Sequence, residues 1–565
     1  MYLKLMDEIK TLMESAVQQA GYNADDMSLG ESAHADVSSS LPFRLAKELK
    51  KNPMEISKDI VAHMGKSEYV DHVEVAGAYI NFYASQLYVT ESLEEILKQG
   101  RTTVLLPTKN VKVILEHTSA NPTGPLHVGR GRNPVIGDTL SRLMRAGGYD
   151  VQVQYYVDDM GKQEATIVWG YDHLDLSKLP VPQTDKPDHA IVEVYRAATD
   201  LRKENESIDK EISEILNKYE HLDPVVSAKI KKMVETCLAG QQMTLARMNV
   251  FYDKFVWESS FVQNGDVNEV IDKLSKTQYA ERKPDGMLAL NLTSFGMDKE
   301  FVLTRADGTS LYTTRDLAYH QWKLSNCDMA VNVLGEDQKL AMQRLNATLT
   351  ILGQTKLPRI VFYSFVSLPE GRMSTRKGVV VNLDDLLDEA IERAYIEVDK
   401  RRKDLEEDQK RKIAEAVGIG AVRFDIIRVA AEKSITFKWE QALDFEKQGA
   451  PFVQYSYARA CSILAKANPQ KYDLSVLKEK EEIALVKKMA MLPYEVHVAS
   501  TDLKPHIIAG YARELAETFN QFYRFVTVLN AEPELREARL ALVDASRITL
   551  ANALDLLGIA ALEEM

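Results

Sequence analysis

At 565 residues the chain is too long for one hydrophobic core, so three or four domains are expected. With 45% hydrophobic and 27% charged residues and no low-complexity tract, it has an ordinary globular composition. The net charge of −13 weighs mildly against nucleic acid as a partner, although local patches rather than net charge govern contact. Cys237, Cys327 and Cys461 are too far apart for a zinc knuckle or a disulfide framework, which points to a reducing cytoplasm and no tightly bound metal. The N-terminus mixes charges and lacks a signal-peptide core, and no apolar run is long enough to predict a membrane span.

Residues 1 to about 105 read as a separate α+β module, with an opening helix and strands at His72–Val75 and Ala78–Tyr83. A mostly apolar run, Val111–Leu115, then predicts a buried strand. It leads into Glu116-His-Thr-Ser-Ala-Asn121-Pro-Thr-Gly-Pro-Leu-His127-Val-Gly129-Arg130. A helical pattern over Val135–Met144 and an alternating strand over Val151–Val157 complete a βαβ unit. The turn therefore opens at the carboxyl edge of a parallel sheet, where helix N–H groups favour anions. It has neither GxGxxG nor GxxxxGK[ST], so neither a dinucleotide fold nor a P-loop is indicated. Taken alone, His127 is more simply a capping or packing residue.

The stretch from about 166 to 300 reads as a charged helical insertion, with helices over Arg202–Tyr219 and Val225–Met248. The second half of the sheet starts near Phe301 and includes Ala330–Leu334, a helix over Gln338–Gly353 and a strand over Arg359–Phe365. Gly371-Arg372-Met373-Ser374-Thr375-Arg376-Lys377-Gly378 follows, a glycine-flanked loop whose three cations and two hydroxyls suit a triphosphate. Beyond it the pattern is helical almost throughout: 386–399, 410–430, 445–466, 478–499, 505–529 and 538–557. Three basic clusters, around Arg44–Lys51, Lys229–Lys232 and Lys400–Lys403, are most simply solvated helix faces.

His-x-Gly at a strand-to-helix turn resembles the first signature of class I aminoacyl-tRNA synthetases, and Met373–Lys377 resembles the second. With Thr304-Arg305-Ala-Asp-Gly-Thr-Ser-Leu-Tyr312-Thr-Thr-Arg-Asp316, the whole chain resembles an arginyl-tRNA synthetase of archaeal type. That resemblance implies a multidomain α/β fold with a split Rossmann-type catalytic domain over about 106–385. It also implies an N-terminal module (1–105) that grips the tRNA elbow, a helical stem (386–440) and an anticodon-binding helical bundle (441–565). The implied reaction activates L-arginine with ATP, brought in as its Mg²⁺ complex, and transfers arginine to tRNA(Arg). The first step is expected to depend on tRNA, and the enzyme to be a monomer.

The resemblance also assigns residues. His127, Gly129, Met373, Ser374, Arg376 and Lys377 are implied on ATP, with His127, Arg130, Arg376 and Lys377 catalytic. Arg130 stands where most class I enzymes have a second histidine, and Thr375 where the catalytic lysine usually sits. Gly124 holds the place of a lysine that compensates in some arginine enzymes, so Arg376 and Lys377 carry more weight here. Tyr312 and Asp316, four apart on one helix face, are implied around the guanidinium, with Glu258 as a weaker third. Glu116, Asn121 and Gln338 are implied near the α-amino and carboxylate groups. Tyr79 and Asn81 are implied on the tRNA elbow, where aromatic stacking on a base is worth about 1–3 kcal/mol. Phe452, Tyr455 and Arg459 are implied on the anticodon. Two other readings stand beside this one: another class I synthetase, such as the cysteine enzyme, and a catalytically silent RNA-binding paralogue.

Overall fold

Helix Tyr2–Gln19 buries Leu5, Ile9, Met13, Ala16 and Val17, a spacing that lays one apolar stripe on the N-terminal module. The same module holds a four-stranded antiparallel sheet in the order Leu29–Gly30, Val37–Ser39, Tyr79–Ala84, Val70–Ala76. Gly77 and Ala78 join the last two strands at φ +56° and +73°, the double positive φ of a tight hairpin turn. The chain is described here from a computed structural model, which covers residues 1–32, 34–297, 300–368, 371–372 and 382–565.

The central sheet is parallel and five-stranded, in the order Arg359–Tyr363, Met329–Gly335, Lys112–Glu116, Asp150–Val157, Lys254–Trp257. Its middle strand comes first in the chain. Later strands add to one side and then to the other, so the sheet's topological switch lies beside the carboxyl end of Lys112–Glu116. Strand Lys254–Trp257 falls inside the stretch read as insertion. At four residues it is too short to show a period, and only its pairing with Gln154–Val157 identifies it. The insertion's helices are Lys162–His173, Pro187–Glu204, Glu206–Glu220 and Pro224–Arg247, with Glu258–Gln263 and Asp266–Ser275 after the strand. The helix expected across Arg202–Tyr219 breaks at Asn205, whose side chain accepts from the Ser207 N–H and caps the next helix.

Helices Leu383–Arg401 and Glu407–Ile427 form the stem, and five long helices between Ala450 and Leu556 form the terminal bundle. The helix expected over 478–499 is two, because Pro493 opens Leu492–Asp502 near its N-terminus, where a missing N–H costs nothing. No helix of the described residues is long and apolar enough to cross a membrane.

One fully buried guanidinium ties these parts together. Arg423, on the second stem helix, donates from Nη2 to Asp138 at 2.6 Å and from Nε to the Leu557 carbonyl at 2.9 Å. Its Nη1 donates to the Met248 carbonyl. These acceptors belong to the catalytic helix Arg132–Ala146, to the end of the insertion helix Pro224–Arg247 and to the end of the final bundle helix. Gly558, at φ +67°, leaves the room: a Cβ there would stand 2.1 Å from Arg423 Nη2. Arg423→Met should leave two buried carbonyls unpaired and Asp138 with Arg142 Nε as its remaining partner, lowering stability by about 1–3 kcal/mol. Denaturant unfolding followed by circular dichroism is the check, and an unchanged midpoint would show that the contact is dispensable.

Candidate active site

The first signature is built on strained backbone. After Glu116, Thr118 and Ser119 both take positive φ, +69° and +43°, which non-glycine residues adopt only when their surroundings hold them. Asn133 supplies part of that hold, its Oδ1 accepting from the Thr118 N–H at 2.7 Å. Ser119 Oγ accepts from the Tyr156 N–H at 3.1 Å. Further along, His127 Nδ1 accepts from the Gly129 N–H at 3.0 Å and caps the short helix Val128–Arg130. An accepting Nδ1 leaves the ring proton on Nε2. Burial first, and the Arg130 cation second, hold His127 below its ordinary pKa, so the ring is a neutral donor. A Cβ on Gly129 would come within 3.0 Å of that Nδ1, which gives this glycine a structural purpose at the cap.

Met373, Ser374, Arg376 and Lys377, with Thr375, lie outside the described residues. The segments on either side of them meet the first signature. Before them, the Ser364 carbonyl accepts from Arg132 Nη1 at 2.6 Å; the same guanidinium also donates to carbonyls beyond the stem, Lys433 at 2.7 Å, Ala430 at 3.0 Å and Val429 at 3.3 Å. This guanidinium is fully buried and, among the described residues, bonds only to carbonyls, and burial pulls its pKa down to about 10. After them, Asn382 bridges to His127 and the Leu383 N–H donates to the Leu126 carbonyl at 2.8 Å. Asp384 is then held by three insertion side chains, Lys186 at 2.6 Å, Thr244 at 2.9 Å and Arg247 at 3.0 Å.

Two cavities open along the carboxyl edge of the sheet. One, of about 310 Å³, sits at the topological switch between Thr118–Ser119 and Leu334–Gly335, with Arg130, Asn133, Gln338 and Tyr363 on its walls. The other, of about 1120 Å³, lies under the insertion, walled by Asp158, Glu164, Glu220, Arg305, Tyr312 and Arg315. Asn121 lines both.

The structure thus gathers Asn121, Arg130, Gln338 and Tyr312 on cavity walls, with Tyr312 66% exposed. Three predicted carboxylates are instead engaged with neighbouring protein groups. Glu116 is buried, accepting from Lys323 Nζ at 2.6 Å, Asn332 Nδ2 at 3.2 Å and Ser119 Oγ at 3.1 Å. Glu258 is buried against Arg315 Nε, and burial pushes its carboxyl up while that guanidinium opposes the shift. Asp316 lies 3.0 Å from His320 Nδ1 but keeps 29% side-chain exposure.

Sequence reasoning missed Asp158, Glu164, Glu220 and Arg305. The available signal was Asp158-Asp159 at the carboxyl end of the second strand, where α/β sheets place their ligands. Burial first and the Asp158 charge second push the Glu164 carboxyl up to about 8. Among the described residues no cluster of three or more His, Cys, Asp or Glu could hold a metal ion.

Of the residues expected on RNA, Tyr79 is 46% exposed and packs on Phe43 at 4.9 Å between ring centres. Asn81 is buried and accepts from Ser38 Oγ. In the bundle Tyr455 is partly exposed, and Arg459 lies between the Tyr455 and Tyr523 rings, 4.8 and 4.7 Å from their centres. Phe452 is largely buried beneath a surface hollow lined by Arg513, Arg524 and Phe525.

Residues 92–439 match the family model of the class I tRNA synthetase (R) catalytic domain. Residues 7–84 match the arginyl tRNA synthetase N terminal domain, and 453–565 the DALR anticodon binding domain. The chain is 74% identical over 565 residues to the arginine–tRNA ligase of Methanocella arvoryzae, covering all of both chains. It is 47% identical over 573 residues to that of Methanothrix thermoacetophila, again at full coverage of both. Its fold superposes on Thermus thermophilus arginyl-tRNA synthetase with a TM-score of 0.85 and 28% identity, over 99% of this chain and 100% of that one. A split sheet whose switch point carries a His-x-Gly turn, flanked by these N-terminal and anticodon binding domains, places the chain in the arginyl-tRNA synthetase family of class I ligases.

Proposed function

We propose that the two cavities are the two halves of one active site, for ATP at the switch point and for arginine under the insertion. The protein is an ATP-dependent ligase that activates arginine and transfers it to tRNA(Arg). The observation that carries the division of the site is Asn121, which lines both cavities, so that a carboxylate from one side can meet an α-phosphate from the other. In the first step that carboxylate attacks the α-phosphorus, giving arginyl-adenylate and pyrophosphate. In the second a terminal ribose hydroxyl of tRNA attacks the acyl carbon and AMP leaves. Neither displacement needs a protein nucleophile; positioning and charge stabilisation do the work.

In this reading the His127 Nε2–H donates to phosphate and Arg130, exposed on the switch-point wall, faces the charge that builds as pyrophosphate departs. Met373, Ser374, Arg376 and Lys377 complete the phosphate grip, and Mg²⁺ arrives with ATP. Gln338 and Asn121 orient the amino acid. Tyr312 and Asp316 receive its guanidinium, while Glu258 acts from behind by fixing Arg315. Glu116 anchors the strained turn through Ser119. Tyr79, Tyr455 and Arg459 present faces to RNA, and Asn81 and Phe452 support them from beneath. We assign 1–105 to the tRNA elbow, 106–385 to catalysis, 386–440 to the stem and 441–565 to the anticodon, in a monomer of the cytoplasm.

ATP–pyrophosphate exchange tests the reading. Exchange should require arginine and rise strongly when tRNA(Arg) is added to RNA-free enzyme. Vigorous exchange without RNA would remove the tRNA requirement, and exchange without arginine would remove the substrate assignment.

Asp316→Asn leaves the guanidinium short of its anionic partner, which costs on the order of 1.5–3 kcal/mol for a charged hydrogen bond. The KM for arginine should rise tenfold or more while the KM for ATP stays near wild type. An unchanged kcat/KM for arginine would place the pocket elsewhere.

A further inference from the structure

Behind Asp316 runs a chain of buried polar groups that no substrate contact explains. Lys323, fully buried, donates from Nζ to Glu116 Oε2 at 2.6 Å and to Asn332 Oδ1 at 3.0 Å. Asn332 Nδ2 stands 3.2 Å from Glu116 Oε2 and 2.9 Å from His320 Nε2. His320 Nδ1 stands 3.0 Å from Asp316 Oδ1 and 2.9 Å from the Asp316 backbone carbonyl, one helical turn back. His320 and Asn332 are each 1% exposed.

Hydrogen-bond polarity runs one way along this chain. An ammonium can only donate, so the Asn332 group facing Lys323 is its oxygen. The amide nitrogen then faces both Glu116, which as a carboxylate accepts, and His320. A flipped amide would set nitrogen against ammonium and oxygen against carboxylate, two repulsions at once. His320 Nε2 therefore accepts from Asn332, and its ring proton is left on Nδ1, which donates to the Asp316 backbone carbonyl with the Asp316 carboxylate 3.0 Å away.

We propose that His320 is a specificity-positioning residue for arginine: held in its Nδ1–H tautomer by Asn332 and Lys323, it orients the Asp316 carboxylate toward the incoming guanidinium. The proposal rests on the reading that Asp316 faces that group. Lys323 fixes the amide, the amide fixes the imidazole, and the imidazole holds the Asp316 carbonyl while setting its Nδ1–H edge 3.0 Å from one carboxylate oxygen of the same residue. The exposed part of Asp316 is left to meet the substrate. The same Lys323 holds Glu116, which anchors Ser119 in the strained turn beside Asn121. One buried ammonium thus orders groups on both sides of the two-cavity junction.

The test uses two variants of the full chain with opposite hydrogen-bonding content. Asparagine places an amide nitrogen where Nδ1 stood, and glutamine places one where Nε2 stood. His320→Asn should therefore keep the donor to Asp316, and His320→Gln should lose it. In steady-state aminoacylation the glutamine variant is expected to raise the KM for arginine tenfold or more, with the KM for ATP within twofold of wild type. The asparagine variant is expected to recover most of that loss. Equal effects of the two variants, or a KM for ATP that rises in step, would overturn the positioning role. Asp316→Asn run alongside separates the layers. If it leaves arginine KM unchanged, the pocket reading itself fails; if it raises KM while His320→Gln does not, only the present inference fails. Should either variant fold poorly, nitrogen-15 NMR of histidine-labelled wild-type protein reads the tautomer directly. A proton on Nδ1 of His320 supports the proposal and one on Nε2 overturns it.

Discussion

The interaction on which the rest of the molecule depends is the buried fork of Arg423. A guanidinium offers five donors in one plane, and here that plane meets three acceptors from three different parts of the chain. Asp138 belongs to the helix that opens beside the first signature, Met248 to the end of the insertion helix Pro224–Arg247 and Leu557 to the end of the bundle. Burying such a charge is costly unless every partner is in place. It is therefore satisfied in only one mutual arrangement of stem, insertion and bundle. Apolar packing alone would tolerate slippage among these helices; a directional buried charge does not.

Arg132 repeats the device at the start of the same catalytic helix, with four carbonyls in place of a carboxylate. Three of those carbonyls lie at 429–433, just beyond the second stem helix, and the fourth is Ser364 beyond the last strand of the sheet. The helix that follows the His-x-Gly turn is thus clamped at Arg132 and again, through Asp138, at Arg423. Displacement of the stem must pull on the helix that carries the first signature. The insertion adds a third tie through Lys186, Thr244 and Arg247 on Asp384, so it serves as a brace for the stem as well as a roof for the larger cleft.

Much of this was legible in the sequence where chemistry is local. The His127–Arg130 turn, the alternating strand before Asp158 and the helical periodicity after residue 382 each follow from neighbouring residues, and the folded chain has them. Strand Lys254–Trp257 and the breaks at Asn205 and Pro493 were not read, because four residues show no period and a single cap is outvoted by the helical pattern around it. What the sequence did not show is the partnership of the candidate site residues. Glu116, Glu258 and Asp316 were each read as waiting for a substrate, yet each is engaged by a basic side chain, Lys323, Arg315 or His320. Two of those pairings span 207 and 57 positions, and no pattern in one sequence joins residues so far apart. His320 is only four residues from Asp316, but its importance depends on Asn332 from a neighbouring strand.

The same pairing of charges bears on how an acidic protein can hold a polyanion. Several of the basic residues conspicuous in the sequence are neutralised in the fold. Arg401 bonds to Glu397, Arg402 to Asp404 and Glu564, Lys403 to Asp399, Lys229 to Asp172 and Arg44 to Asp26. A cation already facing a carboxylate across a solvated surface gains little from a phosphate. Arg459 is different: it lies between two aromatic rings and bonds to the side-chain amide of Asn520, with no carboxylate among these contacts. Rings over a guanidinium fix its orientation without cancelling its charge, and they also present flat faces to unstacked bases. Contact with RNA is therefore favoured where cations are held by aromatics rather than where basic residues are most numerous, and a net charge of −13 is no obstacle to it.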